Sequence, residues 1–400
     1  MTKSILAEIA DLGNLHEVWR EFYKHHRKSL PGLDGIRPSD FAKAEQTNLL
    51  KLRAQLRDGY AFSPLAARAF RKPNGKYRII CIPTVSDRIV QKAVIRFLID
   101  ENHDRLGLKN GVSFAFLKGE GGVRRALEIA KRHRNKRPWA YKADITAFFD
   151  RIQRKTLLQK VSKKLKARSL LPLIEQMICC EAEASDPVTR KRMEDAAITK
   201  GIGLRQGMPI SPLLANLQLD EFDAAFKAAG LCLVRYADDF IVLADNQAEC
   251  LKAHDLARTL LSKIGHHIHD LGTDKTTIAS PDKPIEFLGM LLGQHAAGTY
   301  ELFIDDLTQQ DIFDRLGKLT DLNHLRAHRL DLSNLMKLVR DMQLGFLNAY
   351  ADAEPVHLQA FRDKLEAKVR ALPETILKKI FPASAFHSLS PDARAFLCLT

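Results

Sequence analysis

Apolar positions along the chain alternate between two periods, and each period predicts an element. Leu15, Val18, Trp19 and Phe22 recur at helical spacing, and residues 1 to about 60 read as helices. The turn residues Pro31-Gly32-Leu33-Asp34-Gly35 interrupt them with a loop. Ala67 to Pro83 changes to two strand-like runs joined at Pro73-Asn74-Gly75, which predicts a hairpin. Ser86 to Ile99 returns to helix, with Ile89, Val90, Ala93, Val94 and Phe97 on one face. Trp139 to Ile145 is a strand, and Lys155 to about Cys180 is helical. Glu181 to Lys200 is polar and charged, as expected of an exposed insertion.

Ser211-Pro212 is expected to open an amphipathic helix, Ser211 as its cap, with Leu213, Leu214, Leu217, Phe222 and Phe226 buried. Leu233 to Ala244 reads LVRYADDFIVLA, two β-prone runs around a polar break, and predicts a tight hairpin. Glu249 to Ile264 is helical, and Pro284 to Leu292 reads as one strand. From about residue 305 the pattern is almost wholly helical and basic, with no strong breaker before Pro355. The alternation predicts an α+β core followed by a helical C-terminal domain.

Composition narrows the class. A chain of 400 residues with 46% hydrophobic and 28% charged positions is expected to be soluble and to hold two or three domains. The net charge of +14 favours a polyanionic partner. The dense run Lys131, Arg132, Arg134, Lys136 and Arg137 has two readings, a solvated helix end or a phosphate track. Cys81, Cys179, Cys180, Cys232, Cys250 and Cys398 form no CxxC pair, and Cys179-Cys180 lies in an apolar stretch expected to be core. All six are read as reduced thiols in a cytoplasmic protein. No apolar run reaches membrane-spanning length, no secretory leader is apparent, and no membrane partner is expected. His266, His267 and His269 lack a Cys or acidic fourth ligand and are not assigned a metal.

The candidate chemistry centres on Asp238 and Asp239 at the hairpin's break. Two adjacent carboxylates repel, and burial sharpens the repulsion unless a cation compensates. A divalent ion with oxygen ligands is one such cation. A solvated Asp-Asp turn explains the dipeptide equally well when it is taken alone. It does not stand alone: Asp144 ends an earlier strand, and Gln206-Gly207 to Asn216 lies between the two.

Seven segments in order resemble the reverse transcriptases, most of all the bacterial lineage that includes group II intron proteins. They are Gly32 to Ile36 (GLDGI), Lys72 to Lys76 (KPNGK), Ile82 to Val90 (IPTVSDRIV), Asp144 to Asp150 (DIxxFFD), Gln206 to Asn216 (QGxxxSPLLAN), Tyr236 to Asp239 (YADD) and Phe287 to Gly289 (FLG). The resemblance covers roughly residues 15 to 350 and implies a right-hand polymerase. On that likeness residues 1–60 are the N-terminal helical part of the fingers and 61–138 the rest of them. The palm is 139–295, with an insertion near 181–200, and 296–400 is a helical thumb and C-terminal region. The implied activity is RNA-directed DNA polymerisation, with two Mg²⁺ ions (Mn²⁺ as a possible substitute), dNTPs, an RNA template and a DNA product.

The same likeness carries roles to particular residues. Asp144 and Asp238 would hold the ions, with the carbonyl of Ile145 and, less directly, Asp239. Lys72 and Arg78 would meet the nucleotide phosphates, Gln206 its sugar and base, and Lys275 its triphosphate. Phe149 would lie beneath the sugar and exclude a 2′-hydroxyl, while Phe148 is expected to be the packed ring of the two. Lys318, Arg326, Arg329, Lys337 and Arg340 suit a thumb that tracks phosphate, and Met336 to Glu354 resembles the family's thumb helix.

Three departures stand out. Arg205 occupies the place where the family usually has Pro, which would alter the loop or add a phosphate contact. Ser113 to Glu120 (SFAFLKGE) replaces SYGFRPGRS and looks more like the stand-alone reverse transcriptases of phage defence. No Cys/His-rich endonuclease module follows the thumb, so target cleavage is not expected. The leading expectation is a stand-alone defence enzyme copying a structured non-coding RNA. The alternatives are an intron-encoded reverse transcriptase and maturase without an endonuclease, a non-catalytic maturase-like RNA binder, and untemplated or protein-primed synthesis on the same site.

Overall fold

The computed structural model describes residues 4–72, 75–102, 106, 110–116, 121–382, 384–385 and 389–396. Pro73 and Asn74 of the first expected turn, Leu117 to Glu120 and Cys398 lie outside the described residues. The chain divides into two compact units, residues 1–126 with 141–278, and 127–140 with 279–400.

The first unit opens with helices α1 (Ile5–Ile9), α2 (Leu12–His26), α3 (Pro38–Lys43) and α4 (Glu45–Asp58). The apolar stripe of α2 buries Leu15, Val18, Trp19 and Phe22, and Trp19 lies 4.6 Å from the ring of Phe41. Strands β1 (Leu65–Arg71) and β2 (Tyr77–Ile82) form the expected hairpin, in the register Ala66 opposite Ile82 through Arg71 opposite Tyr77. Helix α5 (Val85–Asn102) follows. Its first turn pins the N-terminal loop, because Gly32 approaches Thr84 so closely that a Cβ would meet the Thr84 nitrogen at 2.7 Å. Arg88 fixes the same loop by donating to Ser29 Oγ and the Leu30 carbonyl.

Helix α6 (Val123–Arg134) leads to β3 (Trp139–Asp144), then α7 (Phe148–Arg151), α8 (Arg154–Lys164) and α9 (Leu171–Cys179). At the end of α9 only Cys180 of the cysteine pair is buried, and Cys179 is exposed, contrary to the expectation of a core pair. The segment expected to be an exposed insertion is largely exposed, and it is also docked on the first hairpin. β4 (Ala182–Glu183) adds a third strand in parallel to β1, and α10 (Pro187–Asp195) places the Arg192 guanidinium 4.1 Å from the Tyr77 ring centre. Its polar composition hid this docking, since polar and cationic groups make the contacts.

The expected long helix after residue 211 is two, α11 (Ser211–Gln218) and α12 (Asp220–Ala228). Ser211 is not a cap but lies in the first turn, and its hydroxyl donates to the Arg205 carbonyl. β5 (Cys232–Tyr236) and β6 (Asp239–Ala244) form the second hairpin, followed by α13 (Gln247–Lys263) and β7 (Thr276–Ala279). The resulting sheet has the order β5-β6-β3-β7. Phe240 on β6 packs edge-on against Phe222 of α12 and Tyr141 of β3, at 5.3 Å and 6.0 Å. This aromatic core fixes one face of the sheet.

In the second unit the single expected strand at 284–292 is a hairpin, β8 (Ile285–Phe287) and β9 (Met290–Gln294), paired in turn with β10 (Tyr300–Phe303). The turn uses left-handed Leu288 and Gly289, and the leucine disguised it as strand. Arg134 is wholly buried here, donating to the carbonyls of Leu292, Lys283 and Ser280 and stacking 4.5 Å from the Tyr300 ring centre. The basic run does close helix α6, with Arg132 and Lys136 exposed, but Arg134 is a structural cation and Lys131 pairs with Glu301. Helices α14 (Asp306–Lys318), α15 (Leu322–Ala327), α16 (Leu332–Ala349) and α17 (Pro355–Leu377) follow, with Phe361 of α17 against Phe313 and Tyr350. Among the described residues no helix is long and apolar enough to cross a membrane.

Candidate active site

Strand pairing brings distant acids together. β6 lies beside β3, so the β5–β6 turn meets the end of β3, and the Ile145 amide donates to the Asp238 carbonyl at 3.0 Å. The turn is tight: Tyr236 opposes Asp239, leaving Ala237 and Asp238 as its only two residues. Ala237 has φ 58°, a left-handed conformation that costs a non-glycine residue roughly 1 kcal/mol or more. That strain is local to the residue preceding Asp238.

The charges there are only partly balanced. Burial, and then the negative charge of Asp144, push the Asp238 carboxyl above the usual carboxylate range, while Arg78 and Lys275 oppose the rise. Lys275 Nζ lies 3.4 Å from an Asp144 oxygen. Two converging carboxylates, one resisting ionisation because of burial and then the other's charge, are an arrangement that a divalent cation would relieve. Asp239 sits apart from the pair in one respect, being held in the ladder opposite Tyr236. Among the described residues, no three His, Cys, Asp or Glu side chains converge on one point as a metal site.

A second group forms around the Gln206 loop. The Leu204 amide donates to the Phe149 carbonyl at 2.8 Å, and the Cys81 amide of β2 donates to the Gln206 carbonyl at 2.6 Å. Gly207 makes this approach possible: at φ 108°, a Cβ there would lie 2.6 Å from the Cys81 oxygen. Phe148 is buried against His266 and is the packed ring of the pair, as expected, whereas Phe149 stays half-buried. Arg78 is exposed on the same face of β2 as Ile80, whose side chain borders Gly207.

Three residues carry more than the sequence reading gave them. Asp150 is half-buried within reach of Arg205, Lys72, Gln206 and Arg78, and burial still raises its pKa despite them. Its signal was its place at the end of DIxxFFD. Arg205, expected to alter the loop or to add a phosphate contact, does the former: it is almost fully buried and donates to Glu181, the Thr199 carbonyl and the Ile202 carbonyl. It fastens the docked segment, and only its charge reaches Asp150. Arg235 is the third and is considered below. The five helical cations belong to the second unit, where Lys318 ends α14, Arg326 lies on α15, Arg329 follows it, and Lys337 and Arg340 lie on α16; all are exposed.

A family profile described as reverse transcriptase (RNA-dependent DNA polymerase) matches residues 70–292. The chain belongs to the reverse transcriptase family. Its mixed helix-and-sheet structure with antiparallel sheets is that family's right-hand polymerase fold. Among curated relatives, Protein YkfC of Escherichia coli K12 is 28% identical over 48% of this chain and 49% of its own length. The group II intron-encoded protein LtrA of Lactococcus lactis is 27% identical over 44% of this chain and 28% of its own length. The retron Ec86 reverse transcriptase of Escherichia coli is 28% identical over 31% of this chain and 39% of its own length. The chain thus spans about half or less of the curated relatives it matches. Reverse transcriptases generally use divalent metal ions, and the Asp144–Asp238 pair suits one by its excess negative charge.

Proposed function

We propose that this chain is an RNA-directed DNA polymerase, a nucleotidyltransferase that adds dNTPs to a 3′ end on an RNA template. The observation that supports the reading is the approach of Asp144 and Asp238 where the β5–β6 turn meets the end of β3. Asp144 and Asp238 would hold two Mg²⁺ ions, with the Ile145 carbonyl and Asp239 completing the set. When bound, those ions acidify the attacking hydroxyl and neutralise the phosphate in transfer. The chain's own residues position and neutralise. Arg78 and Lys72 meet the triphosphate, and Lys275 supplies a cation beside Asp144. Gln206 and Phe149 border the sugar and base, and the phenyl ring leaves no room for a 2′-hydroxyl. Lys318, Arg326, Arg329, Lys337 and Arg340 contact the backbone of the template duplex, whose A-like form is read by shape rather than by base edges. On this reading the first 138 residues are fingers, 139–295 palm and the helical remainder thumb.

Asp238→Asn tests the assignment. Nucleotide incorporation on an RNA template is expected to vanish while RNA affinity stays near that of the parent. Retained synthesis removes the metal role of Asp238.

The biological setting we propose is antiphage defence, with a structured non-coding RNA as template. The likeness to a retron reverse transcriptase and the altered sequence at Ser113 to Glu120 support it. The likeness to a group II intron-encoded protein favours a second setting, intron splicing and mobility. Sequencing the nucleic acid that co-purifies with the chain separates them: a defined RNA with its complementary DNA supports the first, and spliced intron lariat the second.

A further inference from the structure

Arg235 lies on β5, three residues before Asp238 and 1% exposed, in a stretch that is otherwise apolar. Its guanidinium is gripped from several sides. Nε and Nη2 donate to the two oxygens of Asp223 on α12 at 2.7 and 2.6 Å. Nη1 donates to Asn216 Oδ1 on α11 at 3.2 Å and to the carbonyl of Ala237 at 3.0 Å. Its partners are anchored in turn. Asn216 donates to the Ala115 carbonyl and accepts from Ser113, and Asp223 accepts from Asn110. The backbone of Arg235 also pairs with Val112 and Phe114.

A buried ion pair is weak evidence for stability, because well-packed apolar side chains of similar volume often do as well or better. An apolar pair could not, however, donate to the Ala237 carbonyl. That carbonyl belongs to the strained residue immediately before Asp238. We propose that Arg235 is a positioning residue: locked by Asp223 and Asn216, it fixes the left-handed turn that presents the Asp238 carboxylate to Asp144. The proposal rests on the polymerase reading and extends it to residues outside the acids. It also joins the turn to the 110–115 segment, so that altering Asn216 or Asn110 acts on Asp238 at a distance.

Primer extension and Mn²⁺ binding by electron paramagnetic resonance, on the full chain, test it. Arg235→Met is expected to lower kcat about a hundredfold, the scale of an ångström's misplacement. The dNTP KM and RNA affinity stay unchanged, and Mn²⁺ affinity falls in parallel. Arg235→Lys restores part of kcat. Asp223→Asn keeps the volume of the network and weakens only its grip on the guanidinium, so it covers the case in which Arg235→Met does not fold. Its expected loss in kcat is roughly tenfold. A folded Arg235→Met with parental kcat and Mn²⁺ affinity overturns the proposal, as does an Asp223→Asn that matches the parent. If the parent chain extends no primer at all, the polymerase reading fails, and Mn²⁺ affinity alone then decides the positioning role.

Discussion

Two acidic environments flank the β5–β6 turn and differ in how their charge is answered. Behind the turn, on α12, Asp223 is wholly buried, yet both of its oxygens meet the fork of Arg235 and one also accepts from Asn110. At the hairpin's tip, burial and the charge of Asp144 both press on Asp238, and the nearby cations only partly offset them. A charge that the fold answers completely holds the fold, and a charge left in excess is available to a ligand. The tip is therefore where removal of an acid should help stability and harm chemistry, whereas removal of Asp223 should harm stability first and chemistry only through the turn.

The largest expected effect is at the tip. Asp144→Asn should reduce nucleotide incorporation about a thousandfold, equivalent to roughly 4 kcal/mol of lost transition-state stabilisation. Its thermal unfolding midpoint should equal or exceed the parent's. An acid whose folded pKa lies above its unfolded one, as for Asp238, costs stability once pH rises past both, and removing Asp144 lessens that cost. A lowered midpoint in calorimetry would contradict the contrast.

On α12, Asp223→Ala should destabilise by about 3–5 kcal/mol, because it strands a buried guanidinium. Chemical denaturation measures this, and a change under about 1 kcal/mol would mean that the pair is relaxed or hydrated in solution.

Next in size is the selectivity of the surface beside the tip. Phe149→Val should shrink the dNTP over rNTP preference by about ten- to a hundredfold in kcat/KM. An unchanged ratio would make Phe149 a packing residue like Phe148.

The smallest effect concerns His266, buried against Phe148, with its pKa lowered to about 4 by burial and then by Arg151 and His267. The unfolded histidine takes its proton first as pH falls below 6.5. Stability present above that value is lost progressively down to about 4. His266→Leu should flatten that part of the stability profile, and an identical acid slope would remove the histidine from the account.

The sequence showed the elements whose cause is local. The α2 stripe, the two hairpins and the acidic turn all follow from periods and turn residues that sit side by side. What stayed hidden depends on partners far along the chain. Docking of β4 and α10 on the first hairpin needs Leu65 opposite Ala182 and Arg192 on Tyr77, pairings that polar composition does not announce. Arg205 and Arg134 look like surface cations until Glu181 and a ring of carbonyls are found around them. Arg235 reads as a charge misplaced in a strand, and only helices α11 and α12 supply its meaning. At 284–292 the error was local: Leu288 stands at φ 51° where a glycine or asparagine would have signalled the turn.

The most direct test of the central claim is anomalous diffraction from crystals of the chain soaked in Mn²⁺. The account expects a peak within about 2.5 Å of carboxylate oxygens of both Asp144 and Asp238, at the distance of an oxygen-liganded divalent ion. A fully occupied ion bound elsewhere, with these two carboxylates turned apart and sharing none, would contradict it.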